Sequence, residues 1–152
     1  NAKTFNVQTA YNLPPDPGEA GKAALEGIDS NNNGVRDDVE IAIYNYAPRE
    51  DQEKLRQAMF QKAKSIELIV KADLSDLNAL RQIVVKDFRA GACLNQSSPR
   101  RDAKDLYFIF EAVLNTPARS RADAIFFKTL RDNGISYSVP KTDPNPCDYD
   151  RR

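Results

Sequence analysis

The chain has 152 residues, enough for one domain with its own core, and 41% of them are apolar, which excludes disorder along its length. Lys plus Arg number 22 and Asp plus Glu number 22, so there is no basic footprint for nucleic acid or an anionic membrane, and no apolar run approaches the ~20 residues that span a bilayer. Histidine is absent, which removes the commonest general base, every Ser-His-Asp or Cys-His arrangement, and the His-containing zinc sets.

The first dozen residues carry no strong periodicity. Leu13-Pro14-Pro15 is extended, because each proline biases its predecessor away from helix. Asp16-Pro17-Gly18-Glu19 predicts a helix start, with Asp16 as N-cap, Pro17 at N1 and Glu19 at N3, leading into Ala20, Ala24, Leu25 and Ile28. A second helix is expected from about Asp38 to Tyr46, with Val39, Ile43 and Tyr46 at helical spacing and Pro48 as its stop. A long helix over about 50–72 presents Leu55, Met59, Ala63, Ile66 and Val70 every three or four residues and leaves Lys54, Gln57, Lys64 and Lys71 to solvent.

Asp73 or Ser75 is positioned to cap the next helix, whose stripe is Leu77, Leu80, Val84 and Phe88 and which is expected to fray near Gly91. Ser98-Pro99 opens another. Its run Leu106-Tyr107-Phe108-Ile109-Phe110 also reads as a buried strand, but the flanking helix formers Ala103, Lys104, Glu111 and Ala112 decide for helix. Thr116-Pro117 opens the last helix, with Ala122, Ile125, Phe126 and Leu130 on one face, and Asn133-Gly134 suits a left-handed cap at its end. With Asn115 and Thr116 alone between them, the last two helices are expected to form an antiparallel hairpin. Beyond residue 135 the prolines Pro140, Pro144 and Pro146 break up the chain. The fold class predicted is all-α, about six helices in one bundle-like domain, with a helix-loop-helix over about 16–47, a helical remainder over about 49–134 and an irregular tail over 135–152.

Cys93 and Cys147 stand 54 positions apart, with no C-x-x-C. No histidine is present to activate a thiol, so the reading preferred over two buried free thiols is one disulfide that pins the tail and stabilises the fold by about 4 kcal/mol in the chain-entropy model. The opening Asn1-Ala2 resembles the stub left when an affinity tag is clipped, which predicts that an export signal has been cut away.

The strongest chemical signal is Asp29-Ser30-Asn31-Asn32-Asn33-Gly34-Val35-Arg36-Asp37-Asp38-Val39-Glu40, which fits D-x-[DN]-x-[DN]-G-x5-E at every required position. A hard cation takes six to eight oxygens, and a twelve-residue loop delivers them from alternate positions. The pattern resembles the EF-hand calcium loop, as a single unpaired copy of the kind found in some exported bacterial proteins. The resemblance covers about Glu19 to Tyr46 and leaves the rest of the chain unassigned.

Carried over by position, the resemblance makes Asp29, Asn31, Asn33, Val35 (through its carbonyl), Asp37 (directly or through water) and Glu40 the ligands of Ca²⁺. Gly34 supplies the sharp turn and Glu40 both of its oxygens. Three carboxylates and two amides fit an affinity of ~10⁻⁶ to ~10⁻³ M, and seven ligands suit Ca²⁺ better than octahedral Mg²⁺. The disulfide, together with this moderate-affinity calcium loop, points outside the cytoplasm, to the periplasm or cell envelope. At the eighth loop position, where EF-hands carry an aliphatic residue that pairs with a second loop, stands Arg36, expected to be exposed. No second loop is present: Asp73-Leu74-Ser75-Asp76 lacks the glycine and the terminal Glu, and the segment from Asp143 has prolines where a loop must bend. An unpaired loop favours a structural ion over a sensing one.

Other chemistry is thin. Asp102, Asp105 and Glu111 offer carboxylates on one helix, a pattern more often a solvated face. Ser98-Pro99-Arg100-Arg101 and Arg119-Ser120-Arg121 are small basic clusters that would greet an acidic partner or simply be solvated. Tyr107, Phe108, Phe110, Phe126 and Phe127 would line a ligand pocket but at helical spacing read as core. The function expected is an exported, calcium-stabilised binding or interaction protein, of inhibitor or immunity type, and not an enzyme. A calcium-dependent sensor is the alternative, and an enzyme using carboxylates alone the third reading.

Overall fold

The computed structural model describes residues 5–100, 103–137 and 143–151. Asn1-Ala2, Arg101, Asp102 and Pro140 lie outside them. Among the described residues there are six α-helices and no strand, so the chain is all-α as its periodicities predict. They are α1 (Val7–Ala10), α2 (Asp37–Tyr46), α3 (Glu53–Val70), α4 (Leu77–Ser97), α5 (Lys104–Val113) and α6 (Pro117–Asp132), with 3₁₀ turns at Gly18–Lys22, Glu50–Gln52 and Asp148–Arg151.

α3 is the axis of the molecule. Its apolar side chains recur at helical spacing all along its length, and α2, α4, α5 and α6 each lean on it. Its first four turns meet α2, α5 and the C-terminal half of α4 in one core, built on Val39, Ile43, Met59, Ile66, Cys93, Ile109 and Val113. Its last turn meets the N-terminal half of α4 and the buried face of α6 in a second core, of Ile69, Leu80, Val84, Phe126, Leu130 and Ile135.

The count of six agrees with expectation, but the set differs. The helix predicted from Asp16 is a 3₁₀ turn followed by bends. Three glycines in ten residues each cost a helix about 1 kcal/mol, Gly18 and Gly27 have φ of +57° and +63°, and the carbonyls that would close the helix are held by a buried arginine described below. The sixth helix is the short α1, capped by Asn6 through Thr9 N–H and tied down where the Tyr11 hydroxyl donates to Pro48 O at 2.6 Å.

Helix ends follow local chemistry. The cap of α4 is Asp76, whose carboxylate accepts from Ala79 N–H, while Asp73 holds the N–H and hydroxyl of Ser75 in the preceding turn. Thr116 caps α6 with Pro117 at N1. At its far end Ile135 N–H reaches Leu130 O and Gly134 N–H reaches Arg131 O, the paired bonds of a Schellman motif, with Gly134 at φ +62°. α4 does not fray at Gly91 but runs on to Ser97, because the turns beyond bury Ala90, Cys93 and Leu94. Ser98 therefore follows α4 and opens no helix; α5 begins at Lys104.

α5 and α6 do not form the expected hairpin. Each packs on α3, with Ile109 and Val113 entering the first core and Phe126 and Leu130 the second. Cys93 and Cys147 are joined. The tail they anchor is held further where Arg89 pairs with Asp143 and Asp148, where Gln61 donates to Pro146 O and accepts from Asp148 N–H, and where the Tyr149 and Ser97 hydroxyls meet at 2.8 Å. Among the described residues no helix is long and apolar enough to cross a membrane.

Candidate metal centre

The 29–40 loop is a closed turn. Asp37 N–H donates to Ile28 O at 2.8 Å, joining its two ends. Asn32 (φ +55°) and Gly34 (φ +85°) turn the chain between them, and Asx hydrogen bonds set the interior. Asp29 accepts from Asn33 N–H through one oxygen and from Gly34 N–H through the other, at 3.2 and 2.9 Å. Asn31 Oδ1 accepts from Asn33 N–H, and Asn33 Oδ1 from Val35 N–H. Glu40, one turn into α2, points back into the loop, where its Oε2 accepts the side-chain amides of Asn31 and Asn33 at 3.2 and 2.9 Å.

Asn31 and Asn33 thus meet Glu40, while Asp29 is held in the same turn by backbone N–H groups. The side chains of Val35 and Asp37 turn elsewhere. The Val35 side chain is fully buried in the first core and anchors the loop. The Asp37 carboxylate turns to Ser30 N–H, at 3.1 and 3.3 Å, and is buried. Both amides of the ring present nitrogen to Glu40; rotating each about its terminal torsion presents Oδ1 in the same place. Half of this donor set is amide or backbone oxygen, and among the described residues no three His, Cys, Asp or Glu side chains gather into a metal-holding group.

Beneath the loop lies a feature that its sequence pattern does not contain. Arg36, expected exposed, is 1% exposed. Its N–H donates to Glu67 Oε1 on α3. Its guanidinium makes a two-point pair with Asp38 at 2.9 and 3.0 Å and donates to the carbonyls of Val113 and Ala112 and to Asn115 Oδ1. Arg119, expected in a solvated cluster, is 0% exposed. It donates to the carbonyls of Gly21, Ala24 and Leu25 and to Asn115 Oδ1.

The charges respond accordingly. Burial raises the Asp38 carboxyl, but the Arg36 hydrogen bond and charge, with Asn115, outweigh it and hold the group below its usual range. Burial pushes Glu67 up despite the Arg36 N–H. Burial, then Arg36, lowers Arg119.

The remaining predicted groups do not assemble. Asp105 accepts from the Tyr46 hydroxyl at 2.6 Å, Glu111 is exposed, and Asp102 lies outside the described residues. Of the aromatics, Phe126 is buried in the second core, Phe108 and Phe110 pack against the first, Phe127 lies against the second, and Tyr107 is 66% exposed. No family model, curated protein or solved structure matches the chain.

The sequence carries one signal of this buried pair, Arg36 itself, a cation where the loop pattern wants an aliphatic, and none at Arg119. Lys62 carries a similar signal: it falls three residues beyond Met59 on the apolar stripe of α3 and is buried against Asp87 at 2.6 Å.

Proposed function

We propose that the 29–40 loop binds a calcium ion whose role is structural, in an exported protein that works by binding a partner. The observation that carries this is the meeting of Asn31, Asn33 and Glu40 at one oxygen, with Asp29 fixed beside them by two backbone N–H groups. Three of the pattern's side chains thereby meet at one oxygen, and a hard cation would replace their amide–carboxylate bonds with oxygen ligation, joined by Asp29. Val35 would add its carbonyl and Asp37 a water-mediated contact.

A structural role is favoured over sensing because the residue that opens the exit helix is already locked. A sensor loop works by letting its helices swing apart. Here Arg36 ties the start of α2 to Glu67 on α3 and to the end of α5. Export is supported by the Cys93–Cys147 bond, since disulfides persist in oxidising compartments.

Calorimetric titration with calcium, paired with thermal melts in calcium and in chelator, tests the reading. The expected result is one site, a large rise in melting temperature and little change in circular dichroism. Absence of binding at millimolar calcium overturns it, and a large conformational change in a still-folded protein replaces it with the sensor.

A further inference from the structure

Asn33 and Glu40 face more than the loop. They also line a groove of about 500 Å³ that runs between α2 and α3. α2 supplies Glu40 and, one turn on, Tyr44. α3 supplies Gln57, Phe60, Gln61 and Lys64, the i, i+3, i+4 and i+7 positions of one helix face. The tail closes the end with Asp148 and Tyr149. Gln61 is engaged by the tail through both ends of its amide, and the Tyr149 hydroxyl by Ser97, so that wall is built and fixed.

The groups left to meet a ligand have a definite chemistry. Tyr44 and Phe60 line the groove with ring surface, set edge to face at 6.2 Å, the Tyr44 ring backed by Tyr11 and by the buried Arg56. Gln57 donates its amide N–H to Glu53 and keeps its oxygen as an acceptor. Lys64 is exposed and has no ion pair among the described residues. Its stem passes beside Gly34, where a Cβ would sit 3.2 Å from Lys64 Cε, so the ammonium is at the rim of the loop. Aromatic surface, a side-chain amide and one cation beside a calcium loop match the C–H faces, hydroxyls and carboxylate of a sugar acid. A nucleotide's phosphates would meet a single free lysine with Glu40 opposite.

We propose that this groove binds an acidic saccharide, with the sugar ring against Tyr44 and Phe60, a hydroxyl donating to Gln57 Oε1, and the carboxylate between Lys64 and the Asn33–Glu40 face of the loop. The inference rests on the calcium reading: without the cation, Glu40 repels a carboxylate, so saccharide and calcium should each tighten the other's binding.

The test uses trigalacturonate as probe and neutral maltotriose as control, at fixed free calcium and in chelator, by calorimetry and by the ring resonances of Tyr44 and Phe60. Calcium is titrated alone first. Expected are trigalacturonate binding that needs calcium and shifts both rings, no maltotriose binding, and about tenfold weakening in Lys64→Met, the loss of one charge-assisted contact, with calcium binding retained. Calcium binding without trigalacturonate binding, equal binding of maltotriose, or full affinity in Lys64→Met overturns the groove proposal and leaves the calcium reading standing. No calcium binding overturns both.

Discussion

Arg36 and Arg119 share one acceptor: Asn115 Oδ1 takes a hydrogen bond from Arg36 Nη2 at 3.2 Å and from Arg119 Nη1 at 2.7 Å. Two buried guanidiniums side by side repel, and the arrangement stands because Asp38 answers Arg36 and because five backbone carbonyls, from the entry segment and from the end of α5, occupy their remaining donors. The cluster joins the entry segment, the start of α2, the end of α5 and the start of α6. It is the mechanical foundation of the loop above it.

Arg119→Met should destabilise the protein by about 3 kcal/mol or more, because it leaves the carbonyls of Gly21, Ala24 and Leu25 without their donor and Asn115 half-satisfied. Urea unfolding measures it. A loss within ~0.5 kcal/mol, the range of ordinary surface substitutions, would mean that the cluster does not hold the entry segment.

Gly27→Ala should be nearly as damaging. At φ +63° a side chain is strained, and its Cβ would lie 2.4 Å from Arg36 Cδ and 2.9 Å from Arg119 Nη2. The expected cost is ~2 kcal/mol or more, and Gly18→Ala, equally left-handed but with nothing within 4 Å, should cost clearly less. Equal losses in the two variants would refute the close approach at Gly27.

On the proposed calcium reading, Glu40→Gln should weaken calcium binding at least about tenfold, since it removes a charge and the pair of equivalent oxygens that would close the loop on the ion. The amide still reaches Asn31 and Asn33, so the chelated protein should melt as the parent does. Unchanged calcium affinity, by calorimetry, would dismiss the loop as the site.

Reducing or removing the Cys93–Cys147 bond should lower stability by about 2–4 kcal/mol. Its cross-link closes a 54-residue separation between α4 and the tail. The double variant Cys93→Ser with Cys147→Ser should also release Gln61 and Tyr149, read as faster amide exchange at Asp148. Retained protection there would show that Arg89 and Gln61 suffice to hold the tail.

Glu67 provides a pH signature. Its folded pKa is raised by burial above the ordinary 4.5. A group raised on folding adds stability below its unfolded pKa and loses that contribution as pH rises through the folded value. Glu67→Gln keeps an acceptor for Arg36 N–H without the charge, so it should gain stability relative to the parent at neutral pH, with the gain vanishing below pH 4.5. Melting curves across that window decide it; a gain that persists in acid would assign the effect to something other than Glu67 ionisation. Asp38 runs the other way, losing its contribution as pH falls below the ordinary 3.8 and through its lowered folded value.

By itself the sequence determined the helical class, the long central helix, the caps at Thr116 and Gly134, the disulfide, and a turn over 29–40 in which Asn31 and Asn33 meet Glu40. Those features are written in period, in punctuation and in side-chain reach over a few residues. The tertiary structure alone decided that the segment from Asp16 is a 3₁₀ turn and bends, that α4 continues through Gly91, that α5 and α6 part onto separate cores, and that Arg36, Arg119 and Lys62 are inside. A charged side chain is buried when distant partners satisfy it. The partners here lie 77 residues from Arg36 at Val113, 98 from Arg119 at Gly21 and 25 from Lys62 at Asp87, separations over which no local pattern carries information.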